Sequence, residues 1–145
     1  GNVALAVGYK HRLPLAPSST WEPTLAWGQM LPISLSDQGL GNWTYGVTSF
    51  RLPLTKTRWT GGVSYGTKQI FGRTALSAMV GVEQPIYRGF SLIADWFSGG
   101  HDLGALVVGN QINVSHSLVV ISGYKIPNRQ TNGSSAVLVE VTYEF

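Results

Sequence analysis

The chain has 145 residues, and only 12% of them are Asp, Glu, Lys or Arg, which is about half the share in an average soluble domain. This length fits a single domain covering residues 1–145. The formal charge of +3 comes from scattered Lys and Arg residues without a basic block, so we expect no nucleic-acid binding. The absence of cysteine excludes disulfides and thiolate metal sites.

Apolar residues make up 43% of the chain, but they are spread along it. No apolar run approaches the roughly 20 residues that a membrane-spanning helix needs, so a helical membrane protein is excluded. The 18 glycines and the 11% of aromatic residues are typical of strands joined by tight turns. A membrane β-barrel also has this profile, because only alternate positions of its strands must be apolar.

Alternation of apolar and polar residues with period two predicts a series of strands in chain order. The predicted strands are 2–10, 20–29, 43–52, 57–67, 73–83, 90–97, 103–114, 117–126 and 136–145. Residues 30–35 either extend the second strand or form a short separate one, so we expect about nine or ten strands. Residues 11–20 indicate a connection, residues 84–89 indicate a turn around Pro85, and a bulge is expected at Ser49 and Phe50.

The last predicted strand is the clearest. Its apolar face carries Val137, Val139, Val141, Tyr143 and Phe145, and its other face carries Leu138, Glu140, Thr142 and Glu144. This strand, with its terminal aromatic residue, resembles the last strand of bacterial outer-membrane β-barrels. The resemblance implies an all-β fold: a transmembrane antiparallel up-and-down β-barrel of about ten strands, or the C-terminal part of a larger barrel.

The same resemblance implies location in the bacterial outer membrane and contact with its lipids. It also implies that Tyr143 and Phe145 form an assembly signal for the barrel-assembly machinery. Barrels of this class keep both chain ends on the periplasmic side, which requires an even number of strands. If the chain has nine strands, either residues 30–35 form a further strand or the chain is trimmed. In the second case we expect other chains of a larger barrel, or further copies in a homo-oligomer, as partners.

Two sets of residues follow from the alternation. The inward charges, expected in the lumen and in control of its selectivity, are Lys10, Glu22, Arg58, Arg73, Glu83, Asp95, Lys125 and Glu140. Such charges would cost about 2 to 4 kcal/mol each if they faced lipid near the midplane. The aromatic residues expected in girdles at the lipid headgroups are Trp21, Trp43, Trp59, Tyr65, Trp96 and Tyr124.

These features predict a porin-like passive channel for small solutes, or a structural membrane protein. A soluble sheet with a solvated polar face would show the same alternation. The alternative is therefore a soluble up-and-down β-barrel that binds an apolar ligand in a cavity lined by Met79, Ile93, Val107, Val119 and Ile121.

A third possibility is an outer-membrane lipid-modifying enzyme, because His101 is next to Asp102 and His116 is next to Ser117. Adjacent residues of a strand point to opposite faces, however, so these pairs do not bring a nucleophile within reach of a base. The histidines also lack metal-ligand spacing. We therefore expect neither catalysis, nor a metal, nor a cofactor.

Overall fold

The computed structural model describes residues 4–34, 41–68, 76–101 and 103–143. In these ranges the chain forms nine strands and one short 3-10 helix, Gln130–Asn132. The strands are β1 (Ala4–Pro14), β2 (Thr24–Ser34), β3 (Trp43–Arg51), β4 (Arg58–Gly66), β5 (Leu76–Tyr87), β6 (Phe90–Phe97), β7 (Ala105–Asn113), β8 (Leu118–Pro127) and β9 (Ala136–Tyr143). Each strand pairs antiparallel with its neighbours in sequence, which is an up-and-down topology.

The sheet is curved into a half-barrel with a concave and a convex face. Contacts between distant strands occur on the concave face, where the rings of Trp43 in β3 and Phe97 in β6 lie 5.9 Å apart between centroids. The register aligns one continuous row of concave residues across five strands: Ala26, Val47, Gly62, Met79 and Phe97. β1 and β9 form the two edges of this sheet and run in the same direction.

The distribution of residues between the two faces is the reverse of that in a soluble sheet. In the described part of the chain, only Ala26 and Ala105 are both apolar and buried. The buried polar or charged residues are Thr24, Thr57, Ser64, Ser77, Ser91 and His101. On the convex face, Val137 and Val139 are 78% and 67% exposed, and apolar side chains of the other strands are exposed with them. The apolar side of this sheet therefore faces outward.

Three of the four connections at one end of the half-barrel are shorter than every connection at the other end; the exception is connection 15–23. At one end, called the short-connection end, the strands are joined by residues 15–23, 52–57, 88–89 and 114–117. At the opposite end, called the long-connection end, the connections are 35–42, 67–75, 98–104 and 128–135. The tightest turn includes Gly89, whose φ of 73° lies in the left-handed region that glycine adopts without strain.

Asn128 joins two connections at the long-connection end. Its Nδ2 donates to the carbonyl oxygens of Phe97 and Gly99 at 2.7 and 3.2 Å, and its backbone N–H donates to Gly104 at 2.9 Å. Its Oδ1 accepts a hydrogen bond of 3.0 Å from the indole Nε1 of Trp96. One side chain thus fixes the start of connection 128–135 against connection 98–104.

Most of the predicted strands are present, and β6 has the predicted bounds. The predicted connection at residues 11–20 is wrong at its start, because β1 continues through Arg12 to Pro14. Residues 30–34 continue β2 in register with β1 and do not form a separate strand. The expected turn at 84–89 is shorter, since β5 reaches Tyr87 and accommodates Pro85 at a register shift.

The bulge predicted at Ser49 and Phe50 is also absent. β3 pairs with β4 in continuous register from Trp43 to Arg51. This continuity puts Trp43 and Tyr45 on the concave face and Phe50 on the convex face, so Trp43, expected in a lipid-facing girdle, lies on the opposite side of the sheet.

Candidate functional site

A chain of ionic and polar contacts crosses the concave face at the short-connection end. The carboxylate of Glu22 lies 3.2 Å from Nε of Arg51 and 4.0 Å from Nη2 of Arg58. Nε of Arg58 lies 3.9 Å from the carboxylate of Glu83, which also accepts a hydrogen bond of 2.9 Å from Ser91 Oγ. The contacts therefore extend from connection 15–23 across β3, β4 and β5 to β6.

Local structure explains how these groups meet. Arg51 ends β3 and Arg58 begins β4, and the two residues are directly opposite each other in the antiparallel register. Glu22 has a φ of 44°, a left-handed conformation that is uncommon for a residue with a side chain. This conformation belongs to the end of connection 15–23, where the Glu22 carboxylate approaches the arginines.

A second group of charges lies on the concave face farther from the short-connection end. The Asp95 carboxylate is close enough to Glu140, Lys10 and Glu83 for their charges to act on it. It also occupies the space above Gly81 on β5, which a side chain at that position would need. The hydroxyl of Tyr45 on β3 lies above Gly28 on β2 in the same way. Strands β1, β6 and β9 thus present charged groups to each other across the concave side.

The predicted lumen residues have the following positions. Lys10, Arg58, Glu83, Asp95, Lys125 and Glu140 belong to strand positions of the concave face, and Glu22 belongs to connection 15–23. Arg73 lies outside the described residues. Lys125 shares a register row with Asp95 through Val107. The structure therefore brings Glu22, Arg58 and Glu83 into direct contact and puts Lys10, Asp95 and Glu140 within electrostatic range.

The sequence prediction missed two members of this site, Arg12 and Arg51. Arg12 was assigned to a connection, whereas β1 includes it on the concave face opposite Ala26. Arg51 was not included among the expected lumen residues. In the continuous register of β3 it shares the concave face with Trp43, a residue that was expected on the lipid side.

Five of the predicted girdle residues lie on the convex side or in a connection near the two ends of the half-barrel. Trp21 and Trp59 are at the short-connection end, where the ring of Trp21 is 6.1 Å from that of Phe50. Tyr65, Trp96 and Tyr124 lie towards the long-connection end and are 60%, 41% and 48% exposed.

Trp43 differs from this group. It is on the concave face and its ring lies 5.0 Å from that of Tyr45. Of the two residues expected to form the assembly signal, Tyr143 lies on the convex face and is 59% exposed, and Phe145 lies outside the described residues.

The two histidines considered for catalysis, His101 and His116, lie in connections between strands. His101 is buried, and its ring fills the space that a side chain at Gly99 would require; Asp102 lies outside the described residues. Next to His116, the Oγ of Ser115 accepts hydrogen bonds from the backbone N–H groups of Ser117 and Leu118. These contacts stabilise the β7–β8 turn. The described residues contain no group of three or more His, Asp or Glu side chains that could hold a metal ion.

Comparison with protein-family models gave no match for this chain. Comparison with curated proteins also gave no match. In the part of the chain that the structure describes, no helix is long and apolar enough to cross a membrane. The function must therefore be inferred from the two faces of the sheet and from the ionic groups on the concave side.

Proposed function

We propose that this chain forms the wall of a bacterial outer-membrane β-barrel and that its concave side borders a passive route for small solutes, as in a porin. The observation that carries the proposal is the reversed distribution of residues. Apolar side chains such as Val63, Leu76 and Val139 are 56%, 64% and 67% exposed on the convex face, whereas ionic groups lie on the concave face. Water disfavours such an apolar surface, and the hydrocarbon of a bilayer accepts it.

The ends of the half-barrel support this orientation towards a membrane. Trp59 and Tyr143 on the convex face are near the short-connection end, and Tyr65 and Trp96 are near the other end. Tryptophan and tyrosine favour the lipid headgroup level on each side of a bilayer. Outer-membrane barrels have short periplasmic turns and longer outer loops, so the short-connection end would be periplasmic.

A structural, anchoring role is the second candidate. Trp43, Tyr45 and Phe97 project from the concave face and occupy part of the space there. Barrels with few strands are filled by their own side chains, and open channels occur in wider ones. The number of strands in the assembled wall would therefore decide between conduction and anchoring.

A soluble barrel with an apolar ligand has less support. The five residues expected to line its cavity, Met79, Ile93, Val107, Val119 and Ile121, do belong to the concave face. The same face, however, carries Arg58, Glu83 and Asp95, and removal of charged groups from water beside an apolar ligand is costly. This alternative also leaves the exposed apolar convex face without a role.

Two measurements test the proposal. The purified protein is first compared with and without detergent by analytical ultracentrifugation, and we expect a folded species only in detergent or lipid. A water-soluble monomer would contradict the membrane location. The protein is then inserted into planar bilayers, where stepwise conductance is expected. Folded protein that inserts without conductance would contradict the channel and support the anchoring role.

A further inference from the structure

Three arginine residues occupy concave positions towards the short-connection end of the sheet. Arg51 and Arg58 are cross-strand neighbours in β3 and β4, and Arg12 on β1 is close enough for its charge to act on Arg58. Like charges directly opposite each other on neighbouring strands are destabilising. A sheet with this pair at one end therefore needs negative charge nearby.

The carboxylates of the protein meet this need only in part. Of the carboxylates that the structure describes, Glu22 and Glu83 supply two negative charges against the three guanidinium groups, which leaves an excess of one positive charge within this set. Glu22 is 3.2 Å from Arg51, but both carboxylates are 3.9 to 4.0 Å from Arg58, beyond hydrogen-bond distance. The Nε atoms of Arg51 and Arg58 are buried, and neither makes a hydrogen bond within the described part of the chain.

The second group of concave charges, farther from the short-connection end, does not cancel this excess of positive charge. Lys10 and Lys125 on the concave face are matched in number by Asp95 and Glu140, so that group is formally neutral. Among the concave residues that the structure describes, the excess positive charge thus lies at the short-connection end. The neighbouring concave residues in β3 and β4, Ser49 and Thr60, pair with each other and carry hydroxyl groups without charge.

We propose that Arg12, Arg51 and Arg58 form a binding site for a small oxyanion of the phosphate class. A guanidinium group presents several N–H donors in a planar fork that matches phosphate oxygens, and three such groups favour a doubly charged anion over chloride. In this site Glu22 competes with the anion for Arg51 and weakens its binding. An effect of phosphate binding on solute passage depends on the proposed channel, but the binding itself does not.

The test is a calorimetric titration of the detergent-solubilised protein with inorganic phosphate at low ionic strength. A second titration uses glycerol phosphate, which distinguishes a free anion from a phosphate ester. We expect saturable binding by the wild type. Binding should be at least about tenfold weaker when Arg51 and Arg58 are both replaced by Gln, since each lost guanidinium removes charge-assisted hydrogen bonds. Glu22→Gln should tighten binding by roughly threefold to tenfold.

Lys56→Gln is the matched control. Lys56 is exposed in connection 52–57, which joins Arg51 to Arg58, and its replacement removes one positive charge, as the replacement of one arginine does. It should leave phosphate affinity unchanged. Far-UV circular dichroism confirms that each variant retains its strands. If the double variant does not fold, Arg12→Gln on the edge strand and Glu22→Gln still test the site by their opposite effects.

The inference is overturned if folded wild-type protein shows no saturable phosphate binding, or if the arginine variants bind as the wild type does. Conductance without phosphate binding would contradict this site alone. Phosphate binding without conductance would contradict the channel alone, so the two failures are distinguishable.

Discussion

Replacing Val139 with arginine tests whether the convex face contacts lipid. Val139 lies in the middle of β9 opposite Ser122 and is 67% exposed. Its neighbour Leu138 lies on the concave face opposite Gly123 and is 37% exposed. An arginine on the lipid face near the bilayer midplane costs about 2 to 4 kcal/mol, whereas one on the polar side remains near water. The two substitutions differ by one position and should differ strongly in effect.

A cost of about 2 to 4 kcal/mol lowers the folding equilibrium constant by roughly 30-fold to 700-fold. Leu138→Arg should stay within about 1 kcal/mol, as expected for a substitution on a wet surface. Denaturant unfolding in phospholipid vesicles, followed by tryptophan fluorescence, measures both free energies of unfolding. Equal losses for the two variants, or a larger loss for Leu138→Arg, would refute a lipid-facing convex surface.

Three further predictions concern stability and assembly. Gly62→Ala should lower the free energy of unfolding by about 1 to 3 kcal/mol, since the new Cβ would collide with the β3 backbone, whereas Gly61→Ala meets open space and should not lower it. Gln84→Ala should cost about 1 to 3 kcal/mol because it removes the 2.6 Å hydrogen bond from the buried Thr57 hydroxyl. Urea unfolding in detergent measures these changes. Deleting Phe145 should reduce assembly in cells, seen as less protein in the outer membrane, while refolding in detergent stays near wild type; unchanged assembly would contradict the assembly signal.

Local alternation was enough to predict much of the antiparallel sheet. β6 was predicted with its observed bounds, because the turn at residues 88–89 precedes it and Phe97 ends a clean alternating run. The concave positions of Lys125 and Glu140 followed from the same parity. A strand face is fixed by period two, so a correct strand assignment also predicts which side chains share a face.

The wrong strand bounds have a common physical cause in proline. A proline was read as a strand breaker, but each one in the sheet lies where its missing N–H does little harm. Pro14 ends the edge strand β1, and Pro127 is the last residue of β8. Pro32 lies beyond the part of β2 that pairs with β3, and Pro85 sits at the register shift of β5. Which positions are tolerant depends on strand pairing, which a single sequence does not specify.

The positions of Arg12, Arg51 and Arg58 also depend on strand pairing, which a single sequence does not specify. Arg12 and Arg51 are separated by two strand connections and lie on different strands. Their approach to Arg58 depends on the curvature of the sheet and on the register of β1, β2 and β3 together. The sequence therefore predicted the face of the charges on correctly assigned strands, such as Lys125 and Glu140, but not that of Arg12 or Arg51, and not which charges meet.

The hydrogen bonds of Asn128 have a consequence for labelling the protein on its surface. Connections 98–104 and 128–135 share this one residue, so they respond as a single unit to any change in either. An epitope tag inserted immediately after Asn128 would also displace the chain around Gly99 and Gly104. A tag placed further along, beyond Gly133, would be separated from the shared hydrogen bonds by the 3-10 turn and would leave the neighbouring connection in its native shape.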